Sequence, residues 1–200
     1  MAHAIRFHKT GGPDVLQWDE VQVPPPGQGE AQIRHKAVGL NYIDTYHRTG
    51  LYPLPLPSGI GLEAAGVVES VGAGVTEFKA GDRVAYCNGG MGAYSEVKNH
   101  PAERLVREPE GISMEQAASM MLQGLTVQYL LRRLHVTPKS GDTILWHAAA
   151  GGIGLIACQW AKALGVNLIG TVSLRRRPRS RASMVPRTPS TTPRKTSRRR

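Results

Sequence analysis

Gly141-Asp142-Thr143-Ile144-Leu145-Trp146-His147-Ala148-Ala149-Ala150-Gly151-Gly152-Ile153-Gly154 is the stretch that decides the fold. It reads as a turn, a short apolar strand, a glycine-rich loop and the start of a helix. That order builds a phosphate cradle for a dinucleotide, because the loop delivers the chain to a helix N-terminus. The helix is expected from Gly152 to Leu164, with Gly165 as its C-cap and a second strand over Val166–Thr171. Strand, helix and strand with short loops form a βαβ unit. Its strands are almost wholly apolar, as for a parallel sheet covered on both faces.

Ala149-Ala150-Gly151-Gly152-Ile153-Gly154 is a G-x-G-x-x-G fingerprint with alanine at its first position. Gly151 would let the backbone approach a pyrophosphate, and Gly154 would let helix and strand pack closely. Unpaired N–H groups of the first helical turn would hold the phosphates. The plainer reading is a tight β–α turn that binds nothing. The side chain that separates NAD from NADP should lie just past the second strand, near Ser173, where the sequence changes character.

Upstream, the composition is that of a small β unit rich in glycine turns. Residues 3–8 and 16–23 alternate as short strands around Gly11-Gly12-Pro13. Ala31–Val38, Ala64–Val71 and Arg83–Tyr86 read as further strands. Asn41–Thr49 has helical spacing and stops at Gly50. Leu51–Pro57 must be extended, because each proline restricts itself and its predecessor. Ser113 and Gln116 have capping-box spacing, and apolar side chains then recur to Leu134 at helical period.

The chain of 200 residues has a formal net charge of +10. The charge is concentrated after Ser173. Residues 174–200 hold ten Arg, one Lys and no acid, which leaves 14 basic and 15 acidic side chains in residues 1–173. The body is near neutral, so a nucleic-acid or acidic-partner role is confined to the tail, as the lesser reading. Cys87 and Cys158 are too few for a disulfide framework or a tetrathiolate zinc site, and a reduced, cytoplasmic setting is expected. The first residues lack the apolar run of a signal peptide, and no apolar run is long enough to span a bilayer.

Gly141-Asp142-x-x-Leu145-x-x-x-Ala149-Ala150-Gly151-Gly152-x-Gly154-x-x-x-x-Gln159-x-x-Lys162 resembles the signature of the quinone oxidoreductases and zeta-crystallins. These form the zinc-independent branch of the medium-chain dehydrogenase/reductase superfamily. The resemblance covers about residues 1–173. It includes Gly39-Leu40-Asn41-Tyr42-Ile43-Asp44, Arg48-x-Gly50-x-Tyr52-Pro53, Gly61-x-Glu63-Ala64-Ala65-Gly66, Lys79-x-Gly81-Asp82-Arg83-Val84 and Gly124-Leu125-Thr126. It implies an α/β plus β architecture: a GroES-like domain at residues 1–112, then a connecting helix and the first part of a Rossmann domain at 113–173. It also implies a homodimer, with NADPH and a quinone in the cleft between the domains.

The resemblance assigns site residues in the same way. Ala150, Gly151, Gly152, Ile153 and Gly154 would hold the pyrophosphate. Asn41 and Thr126 would contact the nicotinamide end, while Tyr46 and Tyr52 would line the quinone pocket. No residue is assigned to catalysis itself. Simpler roles stand beside these: Asn41 as a helix cap, Thr126 on a buried helix face, Tyr46 as core beside Tyr42. Glu63 either orients the loop near the nicotinamide or is a buried structural carboxylate. His147 reads as a satisfied polar residue, Cys158 as a core thiol and Arg132-Arg133 as a solvated face. Zinc-dependent relatives place a cysteine near Asn41–Asp44 and a histidine where Leu62 stands here, so no metal is expected. Without a Lewis acid, alcohol oxidation is disfavoured, and reduction of a quinone or an α,β-unsaturated carbonyl suits the site better.

Residues 174–200 hold one Leu, one Met, one Val and no aromatic residue, and are expected to be disordered. Shifted by one base, their codons are compatible with a family-like peptide: Met184-Val185 with His-Gly, Thr191-Thr192 with Asp-Tyr, Lys195-Thr196 with Glu-Asp. The tail is therefore expected to be a frameshift product. The Rossmann unit is then incomplete, Ile144, Leu145, Leu168 and Ile169 would lack neighbours, and this truncated chain is expected to be inactive.

Overall fold

The alternation in Ala2–Phe7 makes strand β1, whose Ala2, Ala4 and Phe7 are buried. The computed structural model describes residues 1–134 and 136–173. The chain divides into two compact units, Met1–Leu122 and a second beginning at Gln123. The expectations for the basic tail lie outside the described residues.

In the first unit, β1 pairs antiparallel with β2 (Leu16–Val21), from Phe7 opposite Leu16 to Ala2 opposite Val21. The second strand stops at Val21 rather than residue 23 because its partner runs out at Ala2. A five-stranded antiparallel sheet follows, in the order β7-β3-β5-β6-β8. It is built from β3 (Glu30–Gly39), β5 (Glu63–Val71), β6 (Arg83–Cys87), β7 (Val97–Pro101) and β8 (Leu105–Arg107). Helix α1 (Tyr42–Thr49) and the two-residue β4 (Ser58–Gly59), which adds to β1, lie between β3 and β5 in sequence.

The apolar run Ala64–Val68 faces two cores. Ala64 and Val68 pack with Ile33, Val84 and Tyr86. Ala65 packs on the other face with Ala85, Met114, Ala117 and Ala118. The last three belong to α2 (Met114–Arg132). Its N-terminus closes the expected capping box: Ser113 N–H donates to Gln116 Oε1 at 2.9 Å, and Gln116 N–H to Ser113 Oγ at 3.2 Å. The helix stops at Arg132, two residues before the end of the apolar periodicity. Its later residues Val127 and Leu131 belong to the core of the second unit, so the division of the chain falls inside this helix.

In the second unit, β9 (Thr143–Trp146), α3 (Gly152–Ala163) and β10 (Asn167–Gly170) form the expected sequence of strand, helix and strand. The strands are parallel, from Thr143 beside Asn167 to Trp146 beside Gly170. Ile144 and Trp146 pack with Ala157, Cys158, Ala161 and Leu168. Three expectations need correction. The helix cap is Leu164, and Gly165 follows it at φ +70°, in the left-handed region that turns the chain out of the helix. The sheet is not covered on both faces among the described residues: Leu145 is 61% exposed. Ile144 and Leu168, expected to lack neighbours, have them: Leu168 is buried and Ile144 packs half-buried against the same cluster, because α3 covers their side of the sheet.

Candidate functional site

The glycine loop begins at Ala148, whose φ of +55° turns the chain sharply at the end of β9. The buried Ala149 is pinned by its N–H to the Thr171 carbonyl at 3.0 Å. Gly151 is the N-cap of α3, and the first intrahelical bond runs from Leu155 N–H to the Gly151 carbonyl at 2.9 Å. The amides of Gly152, Ile153 and Gly154 precede that bond, so the helix itself provides them no acceptor. Gly152 is exposed and Gly154 buried. A Cβ on Gly154 would sit 2.5 Å from both Cα and the carbonyl oxygen of Ala149. The helix therefore meets the loop backbone to backbone, as its third glycine requires. Ala150 and Ile153 are half-buried in the same turn. These residues leave the positive end of a helix open at the end of a parallel strand, a geometry suited to an anion.

His147 is exposed beside this loop, and its Nδ1 lies 3.0 Å from Thr171 Oγ1. It is a satisfied polar residue, as read. Cys158 is buried among the alanines of α3, and Arg132 and Arg133 are exposed. Thr126 is half-buried on α2.

In the first unit, Asn41 does cap α1, and it does more than cap. Its own N–H donates to Asp44 Oδ2 at 2.9 Å in a capping box between Asn41 and Asp44. Its carboxamide Nδ2 donates to Glu63 Oε2 at 2.6 Å. The other carboxylate oxygen of Glu63 accepts the Leu122 N–H at 2.8 Å. Glu63 is 1% exposed, and burial holds its carboxyl above the usual range, partly offset by the Asn41 and backbone hydrogen bonds. Gly39, at the end of β3, admits this arrangement: a Cβ there would run into the Ala118 carbonyl and the Glu63 carboxylate.

Sequence reasoning missed two members of this network. Tyr94 O–H donates to Asp44 Oδ2 at 2.7 Å, while Asp44 Oδ1 is buried without a partner. Burial and the Asp44 hydrogen bond push the Tyr94 phenol up. The Asn-x-x-Asp spacing at 41 and 44 carried the signal for Asp44; nothing local announces Tyr94, which is 50 residues away.

Tyr46 and Tyr52 lie together, with ring centroids 5.3 Å apart in an edge contact. Tyr42 meets Tyr46 edge-on at 5.2 Å, and buried His47 meets Tyr52 at 6.0 Å. Tyr46 is half-buried, whereas Tyr42 and Tyr52 are 74% and 48% exposed. Tyr46 is thus the inner member of an aromatic surface that still faces outward, rather than a core residue.

The alcohol dehydrogenase GroES-like domain matches residues 27–110. A quinone oxidoreductase of Pseudomonas aeruginosa is 60% identical over 174 residues, which are 86% of this chain and 53% of that protein. A 2-haloacrylate reductase of Burkholderia is 48% identical over 86% of this chain and 54% of its own length. Among solved structures, Escherichia coli quinone oxidoreductase complexed with NADPH superposes with a TM-score of 0.85 at 54% identity, covering 92% of this chain and 56% of that one. The chain spans about half the length of the curated relatives it matches. The β domain and the βαβ unit thus share their sequence and fold with part of these quinone oxidoreductases.

Proposed function

We propose that these residues form the GroES-like domain and the first part of the nucleotide-binding domain of an NADPH-dependent quinone reductase that works without zinc. The observation that carries this reading is the loop Ala148–Gly154, where Gly154 lies on the Ala149 backbone and the N-terminus of α3 opens beside exposed Gly152. The residues fit the cofactor's pyrophosphate: the amides at 152–154 are donors, and no side chain at 151 or 152 stands over them. Ala150, Gly151, Gly152, Ile153 and Gly154 would hold it there. The relative solved with NADPH supports this choice of dinucleotide.

When bound, NADPH supplies the hydride that reduces the substrate. The chain's own part is to bind and orient. Asn41 and Thr126 are assigned to the nicotinamide end. Tyr46 and Tyr52 present aromatic faces and phenol groups on which a flat quinone can stack and hydrogen-bond. In zinc-dependent relatives a thiolate and an imidazole hold the metal that polarises the substrate; Asn41–Asp44 and Leu62 supply neither ligand. The homodimer and the cytoplasmic setting belong to the same proposal. No helix among the described residues is long and apolar enough to cross a membrane.

The test is a chimera that joins residues 1–173 to the remaining part of the Pseudomonas aeruginosa relative. Quinone-dependent oxidation of NADPH, followed at 340 nm, is the expected result. A folded chimera that binds NADPH but reduces no quinone would overturn the substrate assignment. The similarity to the 2-haloacrylate reductase favours a second reading, reduction of an activated C=C bond. Turnover of 2-chloroacrylate in preference to benzoquinones by the same chimera would select it.

A further inference from the structure

We propose that Glu63 is the positioning residue for Asn41, fixing the orientation of its carboxamide and tying it to the α2 backbone. The inference rests on the proposed contact of Asn41 with the cofactor and adds the group that sets that contact.

Three observations carry it. The Asn41 amide is held at both ends, its Nδ2 on Glu63 Oε2 at 2.6 Å and its capping box closed with Asp44. Both oxygens of Glu63 are occupied by donors, Asn41 Nδ2 and the Leu122 N–H, so the site needs an acceptor at each oxygen. A carboxylate supplies two acceptors, whereas a carboxamide supplies one acceptor and one donor group. The site is also rigid, because Gly39 leaves no room for a Cβ between the Ala118 carbonyl and Glu63.

The consequence of a Glu63→Gln change follows from this count. The Leu122 N–H is fixed in α2 and takes the single remaining acceptor. The new NH2 then faces the Asn41 NH2, and the Asn41 carboxamide must turn over. Turning it carries an NH2 towards the Asp44 N–H and opens the capping box. An accompanying Asn41→Asp change cures both conflicts, since a carboxylate accepts from the new NH2 and from Asp44 N–H alike. Asn41→Asp alone sets two carboxylates face to face and leaves one of them protonated or the pair broken.

The groups facing Glu63 are Asp44 from α1, Cys87 opposite it on β6, and Tyr94, which reaches Asp44. Burial and the nearby Glu63 charge push the Cys87 thiol up to about 11. Glu63, held above the usual carboxylate range by burial, is therefore the group followed across pH.

The experiment uses the full 200-residue chain and its E63Q, N41D and N41D/E63Q variants. NADPH binding is read from the fluorescence of NADPH, and the Asn41 side-chain NH2 from its amide NMR signals across pH. The expected result is a tenfold or greater loss of NADPH affinity in E63Q and in N41D, and a melting temperature in the double variant that recovers most of what each single variant loses. The Asn41 NH2 signals should titrate together with Glu63, above the ordinary carboxylate range, and lose that titration in E63Q. Equal affinity in E63Q and the original chain, or Asn41 signals indifferent to pH, would overturn the proposal. If the original chain binds no NADPH, the reading of the site fails, and the Asn41 signals alone decide the role of Glu63. If E63Q does not fold, a double variant that folds supports the pairing, and one that stays unfolded contradicts it.

Discussion

At Gly154 a single hydrogen separates a packed helix from a collision. The nearest atoms to an added Cβ are backbone, at 2.5 Å, and backbone cannot swing aside as a lysine tip can. Gly154→Ala should therefore destabilise the second unit by about 1–3 kcal/mol, the usual cost of overpacking. Urea denaturation followed by circular dichroism measures it; a change within error would mean that the helix does not rest on Ala149. Position 154 was legible in the sequence because its spacing from the preceding glycines and strand implies this close approach. Asn41 was legible as a cap. Its pairing with Glu63 was not, since the two lie 22 residues apart and meet only through the β5 register. Burial of Glu63 was one of two readings that the residue type alone left open, and its contact with the Leu122 N–H decides neither chemistry nor cap without the structure.

Helix and strand boundaries show what local pattern can and cannot carry. The start of α2 was readable because Ser113 and Gln116 each satisfy a backbone amide of the other's residue. Ser113→Ala removes one of these acceptors and should cost about 1 kcal/mol, measurable as a lower urea midpoint of the whole chain. The βαβ unit was readable from the glycines and apolar runs around it. Strands β7 and β8 were not. Of the two buried positions of β7, Val97 and His100, only the first is aliphatic, and β8 has only three residues. The sheet partner β3 makes β7 a strand: Ile33 pairs with Lys98 and Ala31 with His100. Expecting apolar strands to be covered on both faces failed at Leu145 for a related reason, since periodicity records what a strand can bury and not what lies beside it.

The whole chain should respond to acid through buried His100 and half-buried His35. His100 stacks on Tyr86 at 3.9 Å between centroids, with neither ring nitrogen hydrogen-bonded, and His35 lies 3.0 Å from Tyr86 O–H. Burial, with Lys98 and other cations nearby, lowers His100 to about 3, and burial lowers His35 to about 4. Below about 6.5 the unfolded chain takes up protons that the folded chain refuses. Their stabilising contribution is thus complete above that pH and is lost as pH falls towards 4 and 3. Glu63, with its carboxyl raised, acts in the opposite sense and contributes most in acid. His100→Phe keeps the stacked ring and removes its proton, so its acid-unfolding midpoint should lie at lower pH than that of the original chain; an unchanged or higher midpoint would contradict this account.

The central claim is that the open end of α3 holds the pyrophosphate of NADPH, and Gly152→Glu tests it most directly. Gly152 is exposed, and a Cβ there meets only the end of the Gln123 side chain, at 2.6 Å. A carboxylate in the first turn favours the helix dipole, so the fold should keep or slightly gain stability. The same charge repels a bound phosphate. NADPH titration of the two folded proteins should show at least a tenfold weaker affinity in the variant, with an equal or higher melting temperature. Equal NADPH affinity in both proteins would contradict the claim.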